Sequence, residues 1–430
     1  MPSLIRIFRK FRPGKNSGDS AAKHPRPGIS AAPEGRVGAA AAVPPNRKQH
    51  AMRIVVDENM PYGFEAFSTL GDVISMPGRS IDPAAAANAD ILAIRSITTV
   101  NAALLEGSRV RFVGTATIGE DHVDKAYLEA RGIGFSSAPG CNANSVGQYV
   151  TAALLELAEA HAFRLRGTTL GIVGVGNVGS RVLKKASAMG LSCVLNDPPL
   201  ERKTGDSAYR PLDEILDCDI VTMHVPLTRE GPDATYHLVD EAFVRRMKPG
   251  SILINTARGA VADGAALKRA LADGHLKACV LDVWENEPTV DLELLEQTFI
   301  GTPHIAGYSF DGKVNGTRQI YEAACAFLGV PPAWDPSPLL PAPECPEVHV
   351  NGAAEEPEGV LRDAVRRVYD IRNDDKAMRG LLHAPETEHG AFFDRLRKEY
   401  PRRREFFNTR AIITPENSDL AAVFSGVGFQ

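Results

Sequence analysis

From Met52 onward the chain alternates short, β-branched apolar runs with stretches of helical character. Strands are predicted at 53–56, 73–74, 91–95, 111–114 and 132–136, with helices at 63–70, 101–105 and 123–130 between them. Strands that are apolar throughout, each followed by a helix, imply a parallel sheet covered on both faces. An apolar-rich stretch at 144–162 predicts one long helix. A second unit of the same kind follows, with strands at 169–173, 192–196, 219–224, 251–255 and 277–282 and a short apolar pair at 299–300. A helix at 317–327 is expected to return to the first unit. Proline-rich residues 330–347 predict a linker, and residues 348–430 a third region with helices at 360–369 and 391–400 and a strand-like 411–414.

The strand at 169–173 runs into Gly174-Val175-Gly176-Asn177-Val178-Gly179, a G-x-G-x-x-G spacing, with a helix predicted at 181–189. Gly174 permits a tight turn, Gly176 lets backbone approach a pyrophosphate, and Gly179 lets helix and strand pack closely; the helix N-terminus offers free N–H groups to the anion. The strand Ser192-Cys193-Val194-Leu195-Asn196 ends at Asp197, where a dinucleotide fold places an acid on the ribose hydroxyls. An acid rather than an arginine there favours NAD over NADP. The expected fold is therefore α/β: two doubly wound parallel-sheet, Rossmann-like domains plus a C-terminal α+β domain. The expected boundaries are 52–143 for a substrate domain completed by 308–330, 144–307 for the NAD domain, and 331–430 for linker and C-terminal domain.

Composition sharpens this only slightly. At 44% hydrophobic and 23% charged the chain is an ordinary globular one. A net charge of −5 argues against general nucleic-acid binding. No apolar run has the length of a membrane span. Six scattered cysteines suit free thiols in a reducing cytosol better than a disulfide frame or a metal site, so a cytoplasmic location is expected. Residues 1–51, rich in Ala, Pro, Gly and basic side chains, read as a disordered tail or as sequence upstream of a true start at Met52.

Three polar residues follow strand ends of the second unit: Arg258 in Asn255-Thr256-Ala257-Arg258-Gly259, Glu287 in Asp282-Val283-Trp284-Glu285-Asn286-Glu287-Pro288, and His304 in Gly301-Thr302-Pro303-His304-Ile305-Ala306-Gly307-Tyr308. Strand ends line the ligand crevice of this fold. Oxidising an alcohol with NAD needs a base for the hydroxyl proton and a cation for any carboxylate. His304 suits the base, because imidazole titrates near neutrality. Glu287 is expected to fix its tautomer and raise its pKa. Arg258 is suited to grip a carboxylate bidentately.

These segments resemble the signatures of the D-2-hydroxyacid dehydrogenase family, whose catalytic Arg, Glu and His fall on Arg258, Glu287 and His304. Further segments narrow the resemblance to members acting on a phosphorylated four-carbon acid. They are Val56-Asp57-Glu58-Asn59-Met60-Pro61, Arg95-Ser96, Phe112-Val113-Gly114-Thr115-Ala116-Thr117, Ser137-Ala138-Pro139-Gly140-Cys141-Asn142-Ala143, Gly307-Tyr308, Leu339-Leu340-Pro341-Ala342-Pro343-Glu344 and Val368-Tyr369-Asp370-Ile371-Arg372. The resemblance implies NAD-dependent oxidation of 4-phospho-D-erythronate to 3-hydroxy-2-oxo-4-phosphooxybutanoate, on the way to pyridoxal phosphate. It implies substrate positions Ser96, Thr117 and Tyr308. It implies cofactor positions Asn177, Val178, Asp197, Val225, Thr256, Ala257, Arg258, Asp282 (for the nicotinamide carboxamide) and Gly307, besides the three glycines. It also implies that the third region is a dimerisation domain, making a homodimer. Cationic charge for the substrate phosphate is expected from Arg95 or from Arg402-Arg403-Arg404 reaching across a dimer; the cluster's alternative is a solvated basic face. Two other functions fit the same sequence: dehydrogenation of another acid such as 3-phosphoglycerate, or an NAD-sensing corepressor.

Overall fold

The computed structural model describes residues 52–430; the stretch read as a tail or upstream sequence, residues 1–51, lies outside them. Strands β1 (Arg53–Asp57), β2 (Asp72–Met76), β3 (Ile91–Ile94), β4 (Phe112–Thr115) and β5 (Gly134–Ser136) form one parallel sheet in the order β2-β1-β3-β4-β5. Helix α1 (Ala143–Ala160) leads to a second parallel sheet, in the order β11-β10-β9-β8-β6-β7. Its strands are β6 (Thr169–Val173), β7 (Ser192–Asn196), β8 (Ile220–Met223), β9 (Ser251–Asn255), β10 (Leu276–Leu281) and β11 (Ile300–Gly301), and helix α2 (Asn177–Ala188) follows β6. Helix α3 (Phe310–Leu328) runs back to the first sheet. The C-terminal region holds β12 (Glu347–Asn351), α4 (Pro357–Val368), α5 (His389–Lys398), β13 (Arg410–Thr414) and α6 (Ser418–Val427), with β12 and β13 paired in parallel.

The central strands of both large sheets are buried on both faces, which is why they are apolar without alternation. In the first, Ile54 and Val56 pack with Phe67 and with Ile320 and Tyr321 of α3. Val55, Leu92 and Ile94 face the opposite side with Leu105 and Leu128. The return of the chain through α3 is as expected, but the helix starts at Phe310 rather than near 317. Gly312 and Gly316 weaken the helical signal. They are there because the helix lies against its neighbours: a Cβ on Gly312 would sit 2.9 Å from the Asn142 side chain, and one on Gly316 2.9 Å from the Ala116 carbonyl oxygen. Helix α2 likewise begins before 181, because Gly179 belongs to its first turn.

The proline-rich linker ends where expected, at 347, but the strand Glu347–Asn351 that follows it has no counterpart in the expected elements. Its alternation is real: Val348 and Val350 are buried between exposed neighbours. These valines share one apolar cluster with Leu361, Phe406 and Phe424 and with Leu154 and Val182 of the NAD side. The C-terminal region is thus welded to helices α1 and α2. Arg366 grips Glu156 of α1 through two bonds of 2.7 and 2.6 Å. Lys185 of α2 donates to the Val427 carbonyl at 2.6 Å. This explains α1, buried on nearly its whole circumference.

The basic cluster is a correction. Arg403 and Arg404 are only 6% and 8% exposed. They are neither a solvated face nor free to reach another subunit. Arg404 pairs with Asp311 at 2.9 Å, and Asp311 also accepts from the Glu405 backbone at 2.9 Å. Arg403 donates to the Ser145 hydroxyl and the Ala306 carbonyl and lies 4.0 Å from the Tyr369 ring centroid. Only Arg402 is exposed, beside Phe310. Replacing Arg404 with Ala leaves the Asp311 carboxylate buried without its cation, so stability should fall by about 3–5 kcal/mol. A denaturant midpoint shifted to that extent checks it; an unchanged midpoint refutes it.

Candidate active site

The glycine loop closes the carboxyl end of β6 at the point where strand order reverses, β7 going to one side and β8 to the other. Gly174 has φ +85°, and a Cβ on it would meet the His224 carbonyl oxygen at 2.7 Å. Around Gly176 the space is open, while a Cβ on Gly179 would lie 2.0 Å from the Gly174 carbonyl oxygen. The backbone N–H groups of Asn177 and Val178 have no protein acceptor among the described residues. An open floor with unpaired donors at a helix N-terminus fits a dinucleotide pyrophosphate. Asp197 stands at the end of β7, but its carboxylate also holds the loop: it accepts from Val175 N at 2.8 Å and caps the next helix through Leu200 N at 3.0 Å. Val225 follows the end of β8 and packs on the apolar cluster of that face.

Arg258, Glu287 and His304 follow the carboxyl ends of β9, β10 and β11, three neighbouring strands, so their origins lie about 4.8 Å apart from strand to strand. Glu287 and His304 meet: His304 Nδ1 lies 2.8 Å from Glu287 Oε2, and Glu287 Oε1 accepts the Trp284 backbone N–H at 2.8 Å. Burial pushes the Glu287 carboxyl up. The His304 charge and hydrogen bond, the Trp284 N–H and the Arg397 charge outweigh this and hold it below its ordinary value. An ionised Glu287 accepts only, so Nδ1 carries a proton, and the neutral form of the imidazole that acts as base presents a bare Nε2. That nitrogen has no protein partner among the described residues.

The loop under His304 is organised by Asp282, which is 1% exposed. Its carboxylate accepts from Thr302 Oγ1 at 2.7 Å, Ile305 N at 2.7 Å and Ala306 N at 3.0 Å. Its own carbonyl takes the His304 N–H at 2.7 Å. Tyr149 of α1 donates to Thr302 Oγ1 at 2.7 Å, completing the chain. These bonds hold His304 at φ 58°, a conformation that costs about 1–3 kcal/mol for a side chain of this kind. Sequence reading placed Asp282 on the nicotinamide carboxamide; in the structure its oxygens serve the loop. Gly307, next in the loop, has no room for a Cβ, which would meet Asn142 Nδ2 at 2.1 Å.

Arg258 stands apart from the pair. Its guanidinium donates to the Ala257 carbonyl at 2.8 Å and leans to within 3.5 Å of Asp121, a residue of the first lobe. Ala257 is fixed by Asn255 Oδ1, and Thr256 Oγ1 bonds His224 Nδ1 at 3.1 Å. In the first lobe, Ser96 is exposed just beyond β3, and Thr117 Oγ1 bonds Thr115 Oγ1 at 2.9 Å. Tyr308 is partly buried and ringed by Arg95, Lys313 and Arg397. Lys313 and Arg397 escape sequence reading, since one lies in a glycine-weakened helix and the other in a run of surface-like basic residues. Tyr308, four residues after His304, was the available signal.

Comparison with known proteins decides the family. The model described as "D-isomer specific 2-hydroxyacid dehydrogenase, NAD binding domain" matches residues 144–306. A domain of unknown function (DUF3410) matches 339–428. The chain is 49% identical to the erythronate-4-phosphate dehydrogenase of Klebsiella pneumoniae (strain 342), over 88% of this chain and 98% of that protein. It is 48% identical to that of Cronobacter sakazakii (strain ATCC BAA-894), over the same shares. The chain belongs to the erythronate-4-phosphate dehydrogenase family. The fold is also that of D-lactate dehydrogenase from Aquifex aeolicus, solved with NAD and lactic acid. That structure is 26% identical with a TM-score of 0.53, over 64% of this chain and 95% of that one.

Glu287→Gln is informative in this family frame. Both Glu287 oxygens accept, from His304 and from Trp284, and an amide has only one acceptor oxygen. With that oxygen on the Trp284 N–H, the amide NH₂ forces the proton of His304 onto Nε2. Turnover should fall about 10²–10⁴-fold with NAD affinity unchanged, read by steady-state kinetics and cofactor titration. Wild-type kcat in this variant would contradict the tautomer assignment.

Proposed function

We propose that the chain oxidises 4-phospho-D-erythronate at C2 with NAD, yielding 3-hydroxy-2-oxo-4-phosphooxybutanoate, a step of pyridoxal phosphate synthesis. The observation that carries the reading is the His304–Glu287 pair at 2.8 Å, with Nε2 unpartnered at the cleft. His304 takes the hydroxyl proton on Nε2 as the C–H bond breaks. Glu287 stabilises the imidazolium that results, and Arg258 receives the substrate carboxylate and polarises the forming carbonyl. Bound NAD supplies the hydride acceptor. Gly176 and the N–H groups of Asn177 and Val178 would hold its pyrophosphate, Asp197 its ribose hydroxyls and Val225 its adenosine side. Ser96, Thr117 and Tyr308 line the substrate side, and Gly307, Thr256 and Ala257 the nicotinamide side; Asp282 keeps the His304 loop in place. The family relationship supports this substrate over 3-phosphoglycerate. The working form we propose is a cytoplasmic homodimer joined through the C-terminal region; no helix of the described residues is long and apolar enough to cross a membrane.

A reduced-nicotinamide absorbance assay tests the reading, with a 2-oxo acid included as acceptor in a parallel arm. The wild type should turn over 4-phosphoerythronate in preference to 3-phosphoglycerate. His304→Asn should abolish turnover while still binding NAD. Preference for 3-phosphoglycerate would reassign the substrate. Absence of turnover with any hydroxy acid, alongside NAD-dependent capture of a protein partner, would favour the corepressor.

A further inference from the structure

We propose that Lys313 of α3 and Arg397 of α5, together with Arg95 at the end of β3, form the seat for the substrate's terminal phosphate. The inference rests on the substrate reading above and extends it to residues that sequence reasoning left unassigned. Three separate elements bring their cations to one ring. Lys313 Nζ lies 4.3 Å from the Tyr308 ring centroid, the Arg397 guanidinium carbon 5.8 Å and the Arg95 guanidinium carbon 6.0 Å. Tyr400 closes the group edge-on to Tyr308 at 5.8 Å.

The cluster is electrostatically unfinished. Among the described residues, none of the three cations has a carboxylate at ion-pair distance, whereas Arg366, Arg379 and Arg404 all do. Arg397 Nε is buried with no hydrogen-bond partner. Beneath them Arg403 adds a fourth guanidinium, its Nε and one terminal nitrogen also unpartnered. Burial, with Arg95, Arg403 and Arg397 as neighbours, pushes the Lys313 ammonium down to about 7. Gathering like charges in a half-buried pocket is unfavourable unless an anion completes it. A phosphate dianion supplies the charge, and its oxygens match guanidinium forks. The position fits, since Tyr308, the ring the three cations surround, lies four residues beyond His304.

Helix α5 is built to bring Arg397 there. Phe393 anchors it in the apolar cluster of the second sheet, and Asp394 pairs with Arg79 of the first lobe at 2.9 Å. The C-terminal region thereby takes part in substrate selection.

The test uses Arg397→Ala, Arg397→Lys and Lys313→Gln in the full-length enzyme loaded with NAD, with NAD affinity as the check on folding. Inorganic phosphate is the probe in calorimetry; 4-phosphoerythronate and unphosphorylated D-erythronate are the substrates in kinetics. Loss of one charge-assisted contact should weaken phosphate binding about 10–100-fold. It should lower kcat/KM for the phosphorylated acid by a similar factor, mainly through KM, and lower D-erythronate turnover far less. Arg397→Lys should recover part of the loss. If the Arg397→Ala and Lys313→Gln variants bind phosphate like the wild type, or lose both substrates equally, the seat is refuted while the substrate reading stands. If the wild type binds phosphate through these residues yet does not oxidise 4-phosphoerythronate, the seat stands and the substrate reading falls.

Discussion

The Asp282 carboxylate is the polar centre on which the catalytic edge of the second sheet depends. Burial drives it toward its neutral form, and three donors from the segment 302–306 oppose that. A buried carboxylate without donors is costly, so the loop is not free to take another path. Because the Asp282 carbonyl also takes the His304 N–H, the imidazole is delivered from a strained backbone that the surrounding bonds over-determine. The Trp284 indole adds a tie, donating to the Thr302 carbonyl at 2.9 Å. Position, tautomer and orientation of one side chain are thereby set by groups that never touch substrate.

The same logic reaches outward through α1. Its Tyr149 and Ser145 hydroxyls bond Thr302 and the Ala306 carbonyl, while its other faces pack on α2 and on the C-terminal helices. Arg403 bonds the same Ser145 and Ala306. The C-terminal region therefore braces the His304 loop from behind while α5 crosses to the first lobe. A region that looks like an appendage in sequence is structurally continuous with the site.

Much of this was legible beforehand. Apolar strands alternating with helices dictated two parallel sheets, and the glycine spacing located the crevice, because both patterns are local. The His304–Glu287 contact was also foreseen, as both residues follow adjacent strands. What escaped depended on long-range packing. Nothing local distinguishes the inward-facing Arg403 and Arg404 from a basic surface run; Asp311, 93 residues away, decides Arg404. Glu347–Asn351 hid behind prolines, and the start of α3 hid behind glycines that exist only to admit Asn142 and Ala116. Asp282 was legible as a polar strand end, but its loop-holding role needed the positions of three backbone and side-chain donors.

The most direct measurement is a crystal structure of the enzyme with NAD and a bound, unreacted substrate or close analogue. The account predicts the C2 hydroxyl in hydrogen-bond contact with His304 Nε2, with Nδ1 still on Glu287 and the C2–H directed at the nicotinamide ring. A substrate hydroxyl held by some other group, with the His304 imidazole turned out of the cleft, would contradict it.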